Sequence, residues 1–507
     1  MRILSKSKLM AFRQCSKRLW LEVNRPELRK DSAATQASFA MGHQVGDIAQ
    51  QLYDPNREGV LIDPQVEGFD PAFARTQLLL QSPQPIFEAG FRAQGALAFA
   101  DVMLPVQQGD QPAWRMVEVK SSTSVKDYHR DDAAVQSYIA RASNVPLVGI
   151  ALAHIDSSWV YPGDGDYRGL LTEKDLTGEA FNRGDEVSGW ISESQQILAT
   201  DKAPDIKTGT QCNQPFECGF LAYCRSQERQ AQQPLSWLPG RFNNKLSDHI
   251  EAKQVTELRD IPDNLLNDKQ RRVKDVSLSG NAYFDQAGAA QDLALHQLPA
   301  YFMDFETIQF SVPIWKGTRP YQQIPFQFSV HHLAPDGTLT QQAFLDLSGA
   351  DPSEAFAQSI INACGNQGPI FVYNAGFETS RIRDLAERLP HCAQSLLALN
   401  QRVVDLLPIA RERYYHPSQK GSWSIKAVLP ALCPDLNYAD LEGVQDGGMA
   451  MDAFLEAISA NTNPARQKEI EQQLLRYCEL DTYAMVRLWA AFSGRNLVKQ
   501  SDGKVLN

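Results

Sequence analysis

The sequence predicts an α/β protein built in two halves, and three observations carry that reading. Strand-like runs alternate with helix-like runs in both halves. A polar, breaker-rich run, QERQAQQPLSWLPG, separates them. The 507 residues leave room for two or three domains, each able to bury its own core. The expected boundaries are 1–230 for the first half, 231–297 for a helical connector and 298–507 for the second half.

Taken in order, the first half opens with helical patterns, LMAFRQCSKRLWLEV and FAMGHQVGDIAQQLY. PIFEAGF, ADVMLPV and RMVEVK read as strands, DDAAVQSYIARAS as a helix and LVGIALAHI as a further strand. The connector carries VTELRDIPDNLLNDKQRRV, with helical charge patterning and no catalytic constellation. The second half starts with the strand LPAYFMDFE. A hairpin of PFQFSVHHL and LTQQAFLDL follows, then the helix SEAFAQSIINAC, the strand PIFVYNA and the helix GFETSRIRDLAERL. A long helix through IEQQLLRYCELDTYAMVRLWAAF comes last.

A hydrophobic fraction of 43% and a charged fraction of 21% are those of a soluble globular protein. No apolar run approaches the roughly 18 residues of a membrane span. Charges run through MRILSKSKLMAFRQC, where a secretory leader would be apolar, so the expectation is a cytoplasmic protein with no membrane partner. The net charge of -11 argues against a passive nucleic-acid coater. It is compatible with an enzyme that collects acidic side chains in its sites and keeps a basic groove. Lys6, Lys8, Arg13, Lys17 and Arg18 make the N-terminus locally basic, as would a solvated helix face. Of eight cysteines, Cys364, Cys392, Cys433 and Cys478 sit in apolar surroundings and read as buried thiols.

Phosphodiester hydrolysis needs divalent cations held by carboxylates, and profits from a fixed cation near the attacked phosphate. The run VEVK points Glu118 and Lys120 to one face of a strand. Asp101 begins the preceding strand, and QQGDQPAW suits a hairpin between the two. His43 on the second helix supplies a candidate nitrogen ligand, Glu88 precedes AGF, and Gln136 and Tyr138 follow on the next helix. The order His, Asp, ExK, Gln, Tyr, together with the opening SKSKLMAFRQCSKRLWLE, resembles the RecB-family PD-(D/E)XK nucleases, which include AddB and the CRISPR adaptation exonucleases. The resemblance implies that His43, Asp101 and Glu118 bind Mn²⁺ or Mg²⁺, that Lys120 orients water or phosphate, and that Gln136 and Tyr138 contact the nucleic acid.

Cys212, Cys218 and Cys224 form a C-x5-C-x5-C pattern, and Cys15 lies far upstream. Three clustered thiols and one distant partner can hold a tetrahedral ion or an iron–sulfur cluster. Spacings of five suit the bulkier cluster, whereas structural zinc prefers C-x2-C pairs. The RecB-like resemblance points to a [4Fe–4S] cluster that staples the two ends of the domain, with zinc as the alternative.

In the second half, Asp304 and Glu306 lie two apart on a strand. Asn374 and Glu378 follow in YNAGFE, and Tyr477 and Asp481 lie one turn apart on the last helix. Four acids from separated segments suit two cations and in-line attack by water, with Tyr477 placed to orient or deprotonate it. Asp405 is a further candidate. This pattern resembles the DnaQ-like DEDD exonucleases of the RNase H fold, in the subclass with a tyrosine in its third motif. There the second motif ends in aspartate, and here Glu378 stands in its place. Asn374 is the substrate-binding residue that the resemblance implies. The stretch RERYYHPSQKGSWSIKAV mixes cations with Tyr414, Tyr415 and Trp423, which suits either stacking on a single strand or a packed surface loop.

The whole arrangement resembles a bacterial family of unknown function that joins a RecB-like front to a DnaQ-like back. The expected activity is metal-dependent hydrolysis of nucleic acid, with DNA ends or single strands as substrate, in repair, recombination or defence. The alternatives are an RNA exonuclease, or a nucleic-acid-binding adaptor whose DEDD half is degenerate.

Overall fold

The computed structural model describes residues 2–108 and 111–495. They fall into two units. The first holds the described residues up to Arg229 together with Phe310–Gln322, and the second holds Gln230–Gln309 and the described residues from Gln323 onward.

The first unit is built on one mixed sheet. Its strands are β1 (Leu4–Ser5), β2 (Val60–Leu61), β3 (Ile86–Ala93), β4 (Ala96–Gln108), β5 (Gln111–Lys120), β6 (Leu147–Ile155) and β7 (Leu171–Asp175), in the order β2-β3-β4-β5-β6-β7, with β1 beside β4. β3, β4 and β5 form an antiparallel meander. β5 and β6 are parallel, as a crossover through a helix requires. The unit's principal helices are α1 (Lys6–Gln14), α2 (Ser16–Asn24), α3 (Ala33–Tyr53) and α4 (Asp127–Ala142), the last of which is that crossover.

Alternation along β5 sorts its side chains between two faces. Trp114 and Met116 enter the large core that contains Ala133, Val135 and Ile139 of α4. Val117 enters a smaller cluster with Phe87 and Val102. Glu118 and Lys120 therefore belong to the α4 face. The segment Phe310–Gln322 is built into this unit: Val312 is buried with Val45, Ile155 and Leu170. Thr318 accepts from the Tyr161 N–H at 2.9 Å, and the Tyr321 hydroxyl donates to the Ser121 carbonyl, one residue beyond Lys120.

In the second unit, β8 (Tyr283–Phe284) pairs with β14 (Tyr414–Tyr415) in a short ribbon. The main sheet contains β9 (Ala300–Ile308), β10 (Ile324–Leu333), β11 (Leu339–Leu345), β12 (Ile370–Val372) and β13 (Val403–Asp405) in the order β11-β10-β9-β12-β13. β10 runs antiparallel to both its neighbours, whereas β9, β12 and β13 are parallel. Met303 and Phe305 pack beneath α5 (Ser353–Cys364) and α6 (Gly376–Arg388), with Phe356, Ile360 and Ile382. The alternate residues of β9 face α9 (Pro464–Ser493), where Phe302 meets Trp489. Two shorter helices, α7 (Ile425–Leu432) and α8 (Gly447–Ile458), precede α9.

The stretch expected to be a connector is packed as part of the second unit, because its helix Asp268–Ser279 buries Val273 and Val276. No helix among the described residues is long and apolar enough to cross a membrane. Cys364, Cys392, Cys433 and Cys478 are buried, as expected.

Truncating Val312 to Ala should lower the stability of the first unit by about 2 kcal/mol, from lost burial plus a cavity. Urea unfolding of the full chain measures this. An unchanged midpoint would remove the segment from that core.

Candidate active sites

The first site gathers where β4 and β5 face α4. Asp101 comes from β4, Glu118 and Lys120 from β5, and Asp132 and Gln136 from successive turns of α4. Glu118 is 1% exposed. Its Oε1 accepts from the Lys120 ammonium at 2.6 Å and from Lys6 of α1 at 2.8 Å. Asp132 binds the same two lysines, at 2.6 Å and 3.2 Å. The Gln136 amide donates to the other oxygen of Glu118 and, at 3.3 Å, to Asp132. Two carboxylates and two ammoniums thus form one closed ionic ring.

Charges in the ring pull against burial. Burial pushes the Asp132 carboxyl up, and Lys120 and Lys6 more than offset it, so it stays well below the usual range. Burial, then Glu118, raises Asp101 well above its ordinary value. Asp101 also accepts from the Val119 N–H at 2.6 Å. Glu88 is raised by burial and by Glu118, and it feels the charge of His43. Its backbone φ of 55° is left-handed, a conformation that a non-glycine residue holds only under constraint. His43 is exposed on α3.

Tyr138 does not join this site. It packs against the large apolar core, beside Gly184. Two residues along a helix is more than half a turn, so Gln136 and Tyr138 face nearly opposite ways. Sequence reasoning missed Asp132 and Lys6. Asp132 was findable, because it precedes Gln136 by four residues on one helix face. Lys6 was one basic residue among many.

The four cysteines share one cavity. Cys15, Cys212, Cys218 and Cys224 line it with Lys17 and Arg18. All four are free thiols. The loop is wound so that Cys218 N–H donates to the Cys212 carbonyl at 2.8 Å and Cys224 N–H to Phe220 at 2.9 Å. Burial raises the Cys218 and Cys224 thiols, while Arg18 and Lys17 respectively act the other way. A cavity lined by four thiols and two cations could hold an anionic metal–thiolate centre.

The second site lies where β9 faces α9. Carboxylate oxygens of Asp304, Glu306 and Asp481 all stand within 4.8 Å of one another. Glu378, in the first turn of α6, is 3% exposed, and its buried Oε2 has no hydrogen-bond partner among the described residues. Tyr438 donates to Asp481 at 2.5 Å, and Tyr477 lies one helical turn before Asp481 on α9. Asp446, which caps α8, adds its charge near Glu306.

Crowding of like charges in a buried place favours the protonated acids. Burial, then Asp481, pushes Glu306 up to about 8. Burial pushes Glu378 up to about 8 and Asp481 up to about 6. Burial and the three neighbouring acids hold Asp304 well above its usual value. Tyr477 is driven far above the normal phenol range by burial, Asp481 and Glu306, so in this state it is a donor and not a base. Such a donor set fits hard divalent cations, which would displace the protons.

Asp405 stands apart. It accepts from the N–H groups of Asn374, Ala375 and Leu407 at 2.9 to 3.0 Å, and so it builds the turn that launches α6. Asn374 is exposed, with φ 78°, and lines a groove of about 800 Å³ with Tyr373, Trp423, Arg411 and Lys269. Tyr414, Tyr415 and Trp423 are buried and cannot serve as open stacking platforms. Tyr438 was not read from the sequence, and Lys426 was read only as one of the cations of RERYYHPSQKGSWSIKAV, because no spacing ties either to the acids.

A family model described as a domain of unknown function (DUF2779) matches residues 301–424. The match takes in Asp304, Glu306 and Glu378 and stops short of Lys426, Tyr477 and Asp481. No curated protein matches the chain.

The raised acids set a pH dependence. With folded values near 8 for Glu306 and Glu378, against 4.5 unperturbed, the folded chain holds protons that the unfolded chain releases. Their contribution is full below about pH 4.5 and is lost as pH rises through about 8. The melting temperature of metal-free protein should fall over this window, and Glu378→Gln should flatten the fall. Thermal scans from pH 5 to 9 decide it, and identical slopes for the two proteins would contradict the assignment.

Proposed function

We propose that this chain is a metal-dependent nuclease with two active sites. The observation that carries the reading is the convergence of Asp304, Glu306 and Asp481, from two remote segments, on one buried point of a five-stranded sheet, with Glu378 near enough for its charge to act on Asp304. That sheet, with the order β11-β10-β9-β12-β13 and only β10 reversed, supports an RNase H-like fold of the DEDD type. In the first unit, the meander β3-β4-β5, the crossover α4 and the parallel β6 support a PD-(D/E)XK core. In such a core the ring around Glu118 would be the active site.

Divalent cations, Mg²⁺ or Mn²⁺, would neutralise the phosphate and activate water at both sites. In the second, Asp304, Glu306, Glu378 and Asp481 would hold them. Tyr438 fixes Asp481 by a hydrogen bond, which restrains the orientation of its carboxylate. In the first, Asp101 and Glu118 are the candidate ligands, with His43 beyond Glu88. Lys120 keeps a fixed positive charge beside them, and Gln136 restrains Glu118. The four cysteines suit a [4Fe–4S] cluster, and their spacing of five favours it over zinc. DNA ends or single strands are the proposed substrate.

Glu118→Ala and Lys120→Ala should abolish cleavage by the first site without unfolding the chain. Asp304→Ala should remove the metal-dependent hydrolysis that survives Lys120→Ala, and Glu378→Asp should keep or raise it. End-labelled DNA and RNA with Mg²⁺ or Mn²⁺ provide the assay. If the Lys120→Ala protein hydrolyses neither, and Asp304→Ala leaves nucleic-acid affinity unaltered, the second unit is a binding scaffold. Anaerobically purified protein should be brown and carry about four irons per chain. One zinc and no iron would replace the cluster by a zinc staple.

A further inference from the structure

We propose that Lys426 is a phosphate contact of the second site, holding the phosphodiester of a single-strand terminus through its ammonium group. The proposal rests on the nuclease reading of that site. Three features of its surroundings carry it.

The first is how the ammonium is held. Lys426 is the second residue of α7. Its Nζ donates to the Gln445 carbonyl at 2.7 Å, a neutral partner. It sits 5.3 Å from the ring centroid of Tyr438 and 5.2 Å from that of Tyr477. A carbonyl and two aromatic faces fix a cation without cancelling its charge. Lys120 of the first unit differs, because its ammonium is spent on two carboxylates at 2.6 Å. One N–H of Lys426 is engaged by Gln445, which leaves two for an incoming acceptor.

The second is where the charge falls. Of the two tyrosines beneath Lys426, Tyr438 hydrogen-bonds Asp481, and Tyr477 lies one turn before it on α9. Glu306 and Asp481 both feel the lysine. Two divalent cations would neutralise the four acids of the site and leave the charge of an incoming phosphodiester uncompensated. Lys426 supplies the missing positive charge.

The third is the adjoining space. Trp423, Ser424 and Ile425, the residues leading into Lys426, line the groove of about 800 Å³. Tyr373 and Asn374, which lead into α6 and Glu378, line it as well. A space of this size admits a nucleotide. Its wall therefore runs towards the acids along two chain segments.

In the reaction, the oxygen of water forms the new bond to phosphorus while the P–O3′ bond breaks, its electron pair leaving on the 3′ oxygen. One proton of the water ends on that oxygen and the other in solvent. Lys426 keeps its proton throughout and offsets charge on the phosphoryl oxygens.

The test uses the full chain carrying Lys120→Ala, which silences the first site. Three quantities are compared among that parent, Lys426→Met and Lys426→Arg: Mn²⁺ affinity by calorimetry, affinity for thymidine 5′-monophosphate with Ca²⁺, and kcat on p-nitrophenyl thymidine 5′-phosphate. Lys426→Met should bind Mn²⁺ more tightly, because a repelling cation is gone. It should bind the monophosphate at least about 10-fold more weakly, as loss of a charged hydrogen bond implies. Its kcat should fall about 100-fold. Lys426→Arg should restore most of the monophosphate affinity. Unchanged monophosphate affinity and kcat in Lys426→Met overturn the proposal and leave the nuclease reading standing. Tighter Mn²⁺ binding with parental monophosphate affinity reduces Lys426 to a screen for the acids and also overturns it. A parent that binds no Mn²⁺ sensitive to Asp304→Ala and hydrolyses nothing overturns the nuclease reading of this site itself.

Discussion

A carboxylate taken out of water must find a cation, a donor or a proton, and both sheets of this chain bury several acids at one point. The two sites meet that demand differently. Around Glu118, Lys6 and Lys120 close an ionic ring with Asp132, and the charges nearly balance inside the protein. Around Asp304, Lys426 faces the acids through two tyrosine rings. The second cluster therefore favours protonated acids, whereas the first holds its carboxylates in ion pairs. One chemical class of residue gives two different electrostatic states because the counter-charges differ.

Such a cluster forms only if the elements around it cannot slide apart. In the second unit a polar seam fixes α9 against β10. Gln327 of β10 donates to the Leu474 carbonyl at 2.7 Å, and Thr482 meets both Ser329 and His331 at 2.8 Å. These groups are buried, so each would be costly to leave unpaired. A shift of α9 by one turn would break them all. Tyr477 and Asp481 lie within this stretch, and the seam sets the height at which Asp481 meets Asp304.

Much of this was legible in the sequence, because strand alternation and helix spacing are local. Glu118 with Lys120, Asp304 with Glu306, and Tyr477 with Asp481 are each a pair on one face of one element, and each pair falls in one of the two clusters described above. Asp132 was within reach of the same logic. Lys6, Lys426 and Tyr438 were not, because they arrive from elements whose placement depends on packing. Where the placement differs from the reading, the causes are physical as well. Tyr138 shares a helix with Gln136 but lies on its core face. Asp405 is an acid in the right region whose oxygens are consumed by three backbone donors. The aromatic residues near Trp423 sit beside a groove, yet their rings belong to the core. The segment Phe310–Gln322 follows β9 in the chain but belongs to the first unit, and no composition signal marks that.

The cysteine cavity and the first site are tied by a single helix. Lys6 begins α1 and reaches Glu118, and Cys15 caps its end and lines the cavity. Gln14 strengthens that end by donating to the carbonyls of Gln211 and Phe216, both at 2.8 Å, in the loop that carries Cys212 and Cys218. A nine-residue helix is short and stiff, so its two ends move together. Were the four thiols closed on a common centre, as proposed, that centre would fix the end of α1 opposite the one from which Lys6 is presented. Segments about two hundred residues apart already meet there, through Gln14, on the helix that positions one of the two lysines of the ionic ring. The contribution of such a staple would be geometric, and α1 is the element that would transmit it.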